Sequence, residues 1–195
     1  MPIPCSKITE NLNLFKKKFH DYDIFYAISH GVNRGVLKEN KYDGRENFVR
    51  NLLNNSVDIS CNFFGFNNIQ PIWGDKFNYE MSKCRFGLNL SRGEPVKYYS
   101  SNRIASYIAN GLPTLMDEKI QYNDFFTNNE MIFYNNIQDL IDKINFYKKN
   151  ERLRAKIGRN GKKKYFKIFN NKIVGDYILS KTLGTKPNYS YIWDK

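Results

Sequence analysis

FGLNLSRGEPVKYYSSNRIASYIANGLPTLM, residues 86–116, parses as strand, loop, helix and strand. The apolar run 86–90 is too short for an independent helix and empties into Ser, Arg, Gly, Glu and Pro, as a buried strand feeding a loop does. Ser100 and Ser101 are candidates to cap the following helix, in which Ile104, Tyr107 and Ile108 share one face. Gly111 stands where a helix takes its terminal glycine, Pro113 follows, and residues 112–116 return to a sheet. This is a βαβ unit, and such units bind ligands in the crevice outside the carboxyl ends of their strands. The free amides of Ser100, Ser101 and Asn102, with Lys97 and Arg103 alongside, suit an anion such as a phosphate. They suit equally a plain helix cap beside a solvated arginine.

The pattern extends outward in both directions. Residues 1–22, with Pro2, Pro4 and three consecutive lysines at 16–18, read as a linker or stub. The apolar run 23–28 reads as the first strand, followed by a loop carrying Gly31, Arg34 and Lys38. Glycine lets backbone approach a ligand, and the two cations can hold phosphate oxygens. The loop lacks a GxGxxG fingerprint, which argues against a dinucleotide site, and His30 reads as a loop histidine bonded to backbone. Asp43 and Glu46 suggest a capped helix to about residue 54; residues 57–66 read as a second strand. Trp73, Phe77 and Met81 form a short helical stripe expected in the core. Asp117, Glu118 and Lys119 follow the strand directly and would either cap the next turn or meet a sugar hydroxyl. A last strand is expected at 131–134, then helices from 139, from 151 to 167 and from 171 to 183.

A 195-residue chain with 41% hydrophobic and 16% aromatic residues can bury a core of its own. The alternation of strands and helices predicts a single α/β, Rossmann-like domain, with a mostly parallel sheet, helices on both faces and basic carboxyl-terminal helices. The formal net charge of +12 favours anionic partners, namely nucleic acid, an acidic membrane surface or phosphorylated small molecules. A general richness in Asn, Lys, Ile, Tyr and Phe weakens that inference. Three scattered cysteines and two histidines suggest neither a disulfide framework nor a metal centre, so no metal or other cofactor is expected. The chain shows no apolar run of transmembrane length, and a cytoplasmic location, perhaps reaching the inner membrane face, is the expectation.

The run Ser101-Asn102-Arg103, followed by Ala109-Asn110-Gly111-Leu112-Pro113-Thr114, resembles the donor-site helix of GT-B glycosyltransferases in the family 1 and spore-coat-protein-like group. The resemblance implies a donor-binding domain over residues 23–183 with a tail at 184–195, and it covers one half of the usual two-domain enzyme. It further implies a nucleoside-diphosphate sugar as substrate, a separate acceptor domain or subunit as partner, and a leaving diphosphate held by Arg34, Lys38 and Arg103 without a metal. Gly31, Lys97, Ser100 and Ser101 complete the implied donor contacts. Many of these enzymes place a ribose-binding glutamate where this chain has Ser106, which cannot replace a carboxylate as a two-hydroxyl acceptor. The resemblance assigns no catalytic residue. The competing reading is a non-catalytic basic module in which Lys162, Lys163 and Lys164, beside Tyr165 and Phe166, bind nucleic acid or a partner protein.

Overall fold

The computed structural model describes residues 1–29, 44–65 and 68–194. Among them, five strands form one parallel sheet: β1 (Tyr22–Ala27), β2 (Cys61–Phe64), β3 (Cys84–Asn89), β4 (Thr114–Asp117) and β5 (Ile132–Tyr134). Their order is β2-β1-β3-β4-β5, so the strand order reverses between β1 and β3. Phe25 pairs with Gly87, Leu88 with Leu115, and Leu115 with Ile132. The expected α/β architecture is therefore present, with every described strand pairing parallel.

Alternation along the strands feeds two cores. Ile24, Tyr26, Phe86, Leu88, Leu115, Ile132 and Tyr134 point to a face covered by α1 (Arg45–Asn54) and α4 (Ile137–Lys149). Phe25, Ala27, Met116 and Phe133 point to the other face, where α2 (Gly74–Ser82) and α3 (Asn102–Ala109) pack with α5 (Glu151–Ile168). Both faces being covered is the reason the strands read as continuous apolar runs. The end of α3 follows the glycine rule. Gly111 has φ +76°, its N–H donates to Ile108 O, and Leu112 N–H donates to Tyr107 O, a Schellman pair.

The amino edge of the sheet is held by charge. Asp23 lies 3.1 Å from Arg85 Nε and 2.8 Å from Lys148 Nζ, while Arg154, fully buried, makes a paired contact with Glu151 and reaches Lys17 O at 3.2 Å. These bonds tie the end of α4 and the start of α5 to β1 and β3. A buried pair of this kind is costly to break on one side, because the partner charge is left uncompensated.

Two expectations change. The second strand begins at Cys61, not at residue 57, because Val57 is 98% exposed and its apolar character found no neighbour. Residues 1–22, expected as a linker or stub, are held in part against the helices. Cys5 bridges Asn170, Tyr165 Oη donates to Ile3 O at 2.7 Å, and Leu12 and Leu14 N–H groups are bound by Asn110. The tail aromatics fold back on their own chain. Tyr191 and Trp193 pack on Tyr177 of α6 (Asn171–Leu183), and Trp193 also meets Phe169.

Candidate functional site

Strand-order reversal leaves a crevice between neighbouring connections, because the chain departs to opposite faces of the sheet on either side of it. A cleft of about 840 Å³ occupies that place. Its walls come from the exit of β1 (Ala27, Ile28, Ser29), the start of α2 (Trp73, Gly74, Phe77, Asn78), the first turn of α3 (Ser101, Asn102, Arg103, Ser106) and residues 8–12.

Ser101 is the N-cap residue of α3, but its hydroxyl does not cap the helix. It donates instead to Oδ1 of Asn89, a fully buried side chain at the carboxyl end of β3 whose Nδ2 meets Met116 Sδ. Ser101 O accepts the Ile104 N–H at 3.0 Å. The amides of Asn102 and Arg103 have no partner among the described residues, as expected for the first turn of a helix, where amide dipoles favour an anion. Hence one hydrogen bond anchors the helix start to the sheet while its leading amides stay available.

Arg103 carries the rest of the local charge. Its Nη2 donates to Leu90 O at 2.7 Å, its guanidinium lies 5.3 Å from the centre of the Tyr26 ring, and its Nε is buried without a hydrogen-bond partner among the described residues. A buried donor left unmatched costs free energy. An anion reaching Nε would relieve that cost. Two carboxylates, Glu10 and Asp75, also line the cleft. Glu10 is held locally, accepting from Ser6 N–H at 2.8 Å and Thr9 Oγ1 at 2.6 Å.

The structure distributes the expected site residues unevenly. Ser101, Arg103 and Ser106 line one cleft, whereas Ser100 and Lys97 turn elsewhere. Ser100 Oγ accepts the Ile3 N–H at 2.9 Å, and Lys97 lies 3.9 Å from Asp124 and over the Tyr98 ring. Gly31, Arg34, Lys38, His30 and Asp43 lie outside the described residues. Trp73, expected in the core, is 64% exposed at the N-cap of α2 and forms part of the cleft rim. Asp117 accepts the Lys119 N–H at 2.9 Å, the turn-capping role of the two considered. It also borders a second cavity of about 460 Å³ with Arg45, Ser91, Lys119 and Asn136. Asn89 and Glu10 were missed by sequence reasoning. Nothing in the linear pattern distinguishes Asn89 from a strand-end polar residue, and residue 10 is brought to the cleft only by the packing of a segment read as linker.

Among the described residues, no group of three or more His, Cys, Asp and Glu side chains converges on a common point. Nor is any helix long and apolar enough to cross a membrane.

Three solved structures are similar in fold. TarM of S. aureus superposes with a TM-score of 0.57 at 13% identity, over 92% of this chain and 36% of that one. HepE of Anabaena, solved in complex with UDP, gives 0.50 at 16% identity, over 72% of this chain and 38% of that one. The C-terminal domain of LpcC, a group 1 family glycosyl transferase of Francisella tularensis, gives 0.52 at 12% identity, over 87% of this chain and 96% of that domain. The chain thus spans little more than a third of the first two proteins and nearly all of the isolated domain. No curated protein sequence matches it. A family model described as glycosyl transferase-like matches residues 44–179, which include β2 to β5 and α1 to α5. On that match the chain belongs to the glycosyl transferase-like family, with the fold of a GT-B carboxyl-terminal domain.

Proposed function

We propose that the chain is the donor-binding part of a glycosyltransferase and that its switch-point cleft holds a nucleoside-diphosphate sugar. The observation that carries this reading is the convergence of open α3 amides and the unsatisfied Arg103 Nε on one side of the cleft. UDP bound in the fold relative HepE supports it. The diphosphate would rest on the α3 amides and Arg103, with Arg34 and Lys38 as further ligands. As the glycosidic bond to the donor breaks, negative charge gathers on the departing nucleoside diphosphate. Donors already aimed at that charge are worth a few kcal/mol each in such a step. Trp73 and Asn78 also line the cleft and would border the nucleoside. Ser106 supplies a hydroxyl where relatives of this type carry a carboxylate, so the ribose is held less tightly from α3. The acceptor, and a group to activate it, would come from a second domain or subunit.

Thermal unfolding with UDP, GDP and their sugar conjugates tests the proposal. One nucleotide series should stabilise the protein, by about 2.7 kcal/mol at a hundredfold excess over its dissociation constant. Arg103→Ala should remove that stabilisation. Equal stabilisation of wild type and Arg103→Ala would reject the assigned site.

A further inference from the structure

The cluster at Lys162 to Lys164, which sequence alone offers as a nucleic-acid patch, is dispersed by the fold. Lys162 Nζ donates to the carbonyls of Leu12 and Glu10, and Lys164 pairs with Glu130 at 3.0 Å. Tyr165 is fully buried and Phe166 packs against the core, so neither aromatic presents a face for stacking on bases. A different set of cations emerges in its place. Arg152, Lys156, Arg159, Lys163 and Lys167 are all exposed on α5 at spacings of four, three, four and four residues. That spacing puts them in one stripe along the helix, spanning about 22 Å at 1.5 Å per residue.

Among the described residues none of the five has a carboxylate partner, and the two acids that pair with α5 do so through other residues. Glu151 binds Arg154 and Arg85, and Glu130 binds Lys164. The stripe also has an apolar border. Arg159 lies over the Phe15 ring at 5.4 Å, and Arg154 binds Lys17 O, so residues 15–17 run beside α5. Lys16 in that segment and Lys18 just after it are exposed, and the next residue, Phe19, is 85% exposed.

We propose that this face of α5, with Lys16, Lys18 and Phe19, docks on an anionic lipid bilayer. A row of unpaired cations matches a continuous negative surface, to which each Lys or Arg close to the headgroups contributes additively. An exposed phenylalanine at the edge supplies the interfacial anchor that such a surface takes and a phosphodiester backbone does not need. Phe19 is one ring at the edge, with no exposed aromatics interleaved among the α5 cations for successive bases to stack on, which weighs against single-stranded nucleic acid as the occupant. The stripe is separate from the nucleotide cleft, and the proposal holds whether or not a nucleotide sugar binds there.

Flotation with vesicles tests it, using phosphatidylcholine alone and phosphatidylcholine with about one-third phosphatidylglycerol. The full chain should bind only the anionic vesicles and release at about 0.5 M salt. Reversing three stripe charges together, Lys156→Glu, Arg159→Glu and Lys163→Glu, should weaken binding at least ~tenfold. Reversing three exposed lysines elsewhere, Lys76→Glu, Lys172→Glu and Lys186→Glu, changes net charge equally and should leave binding within about twofold. Unchanged thermal unfolding of both variants establishes that folding is not the cause. Equal losses in the two variants, binding to neutral vesicles, or displacement of vesicles by a single-stranded oligonucleotide held through the stripe would each overturn the proposal.

Discussion

Arg103 shows how one residue is placed by three neighbours: a strand-end carbonyl at Leu90, an aromatic face at Tyr26 and its own helix start. Gly87 shows the opposite constraint, a residue needed for what it lacks. A Cβ there would lie 2.5 Å from the Tyr107 ring, which is itself wedged against Phe25 and Phe77. Gly87→Ala should therefore cost about 2–3 kcal/mol by overpacking, seen as a lower urea midpoint with an unchanged slope. His20 makes the residue-scale prediction for pH. Burial, and then Arg154 and Arg85, lower its pKa to about 4, and its Nδ1 is buried without a hydrogen-bond partner. The unfolded chain then binds the extra proton between about pH 6.5 and about 4, so stability is full above that window and is lost as pH falls through it. Partial exposure reduces the effect to about 1 kcal/mol. Urea titrations at both ends of the window should show this slope in wild type and a flatter one in His20→Gln.

At the scale of elements, α5 is shaped by two glycines that a helix would ordinarily exclude. A Cβ at Gly158 would meet Gly111 O at 2.5 Å, and one at Gly161 would press on Glu130 O. In an open helix, glycine to alanine gains about 1 kcal/mol. Here Gly161→Ala should instead destabilise, by about 1–3 kcal/mol, because the facing atom is backbone and cannot rotate away. A rise in melting temperature for that variant would contradict the packing described. The main elements were legible because β1, β3 and the turn at Gly111 carry strong local signals: short apolar-rich runs, a 3.6-residue face and a glycine two residues before a proline. α4 was nearly so. Its cap is Asn136, whose side chain accepts from Asp139 N–H, while Asp139 accepts from Asn135 N–H, so the helix starts two residues before the position 139 that sequence alone suggests. Val57 misled because apolar alternation was present with nothing to bury it. Residues 1–22 misled because their partners lie far away in sequence, where periodicity carries no information.

For the whole molecule, the parallel order β2-β1-β3-β4-β5 decides where a ligand can enter, and the cleft lies at its reversal. Three residues of the candidate cleft followed from sequence, since Ser101, Arg103 and Ser106 belong to a single local motif. Asn89, Trp73 and Glu10 reach the same place from three other segments, and only the folded chain brings them together. Lys97 and Ser100 shared the motif but were drawn off by Asp124 and by the amino-terminal segment. The proposed donor cleft requires a nucleoside diphosphate to bind at the start of α3. The direct measurement is a UDP and GDP titration of isotope-labelled protein followed by amide chemical shifts. The predicted result is saturable change centred on the Asn102 and Arg103 amides and on residues 27–29, lost in Arg103→Ala. Saturable change centred on α5 with α3 silent, or no change with either nucleotide, would contradict it.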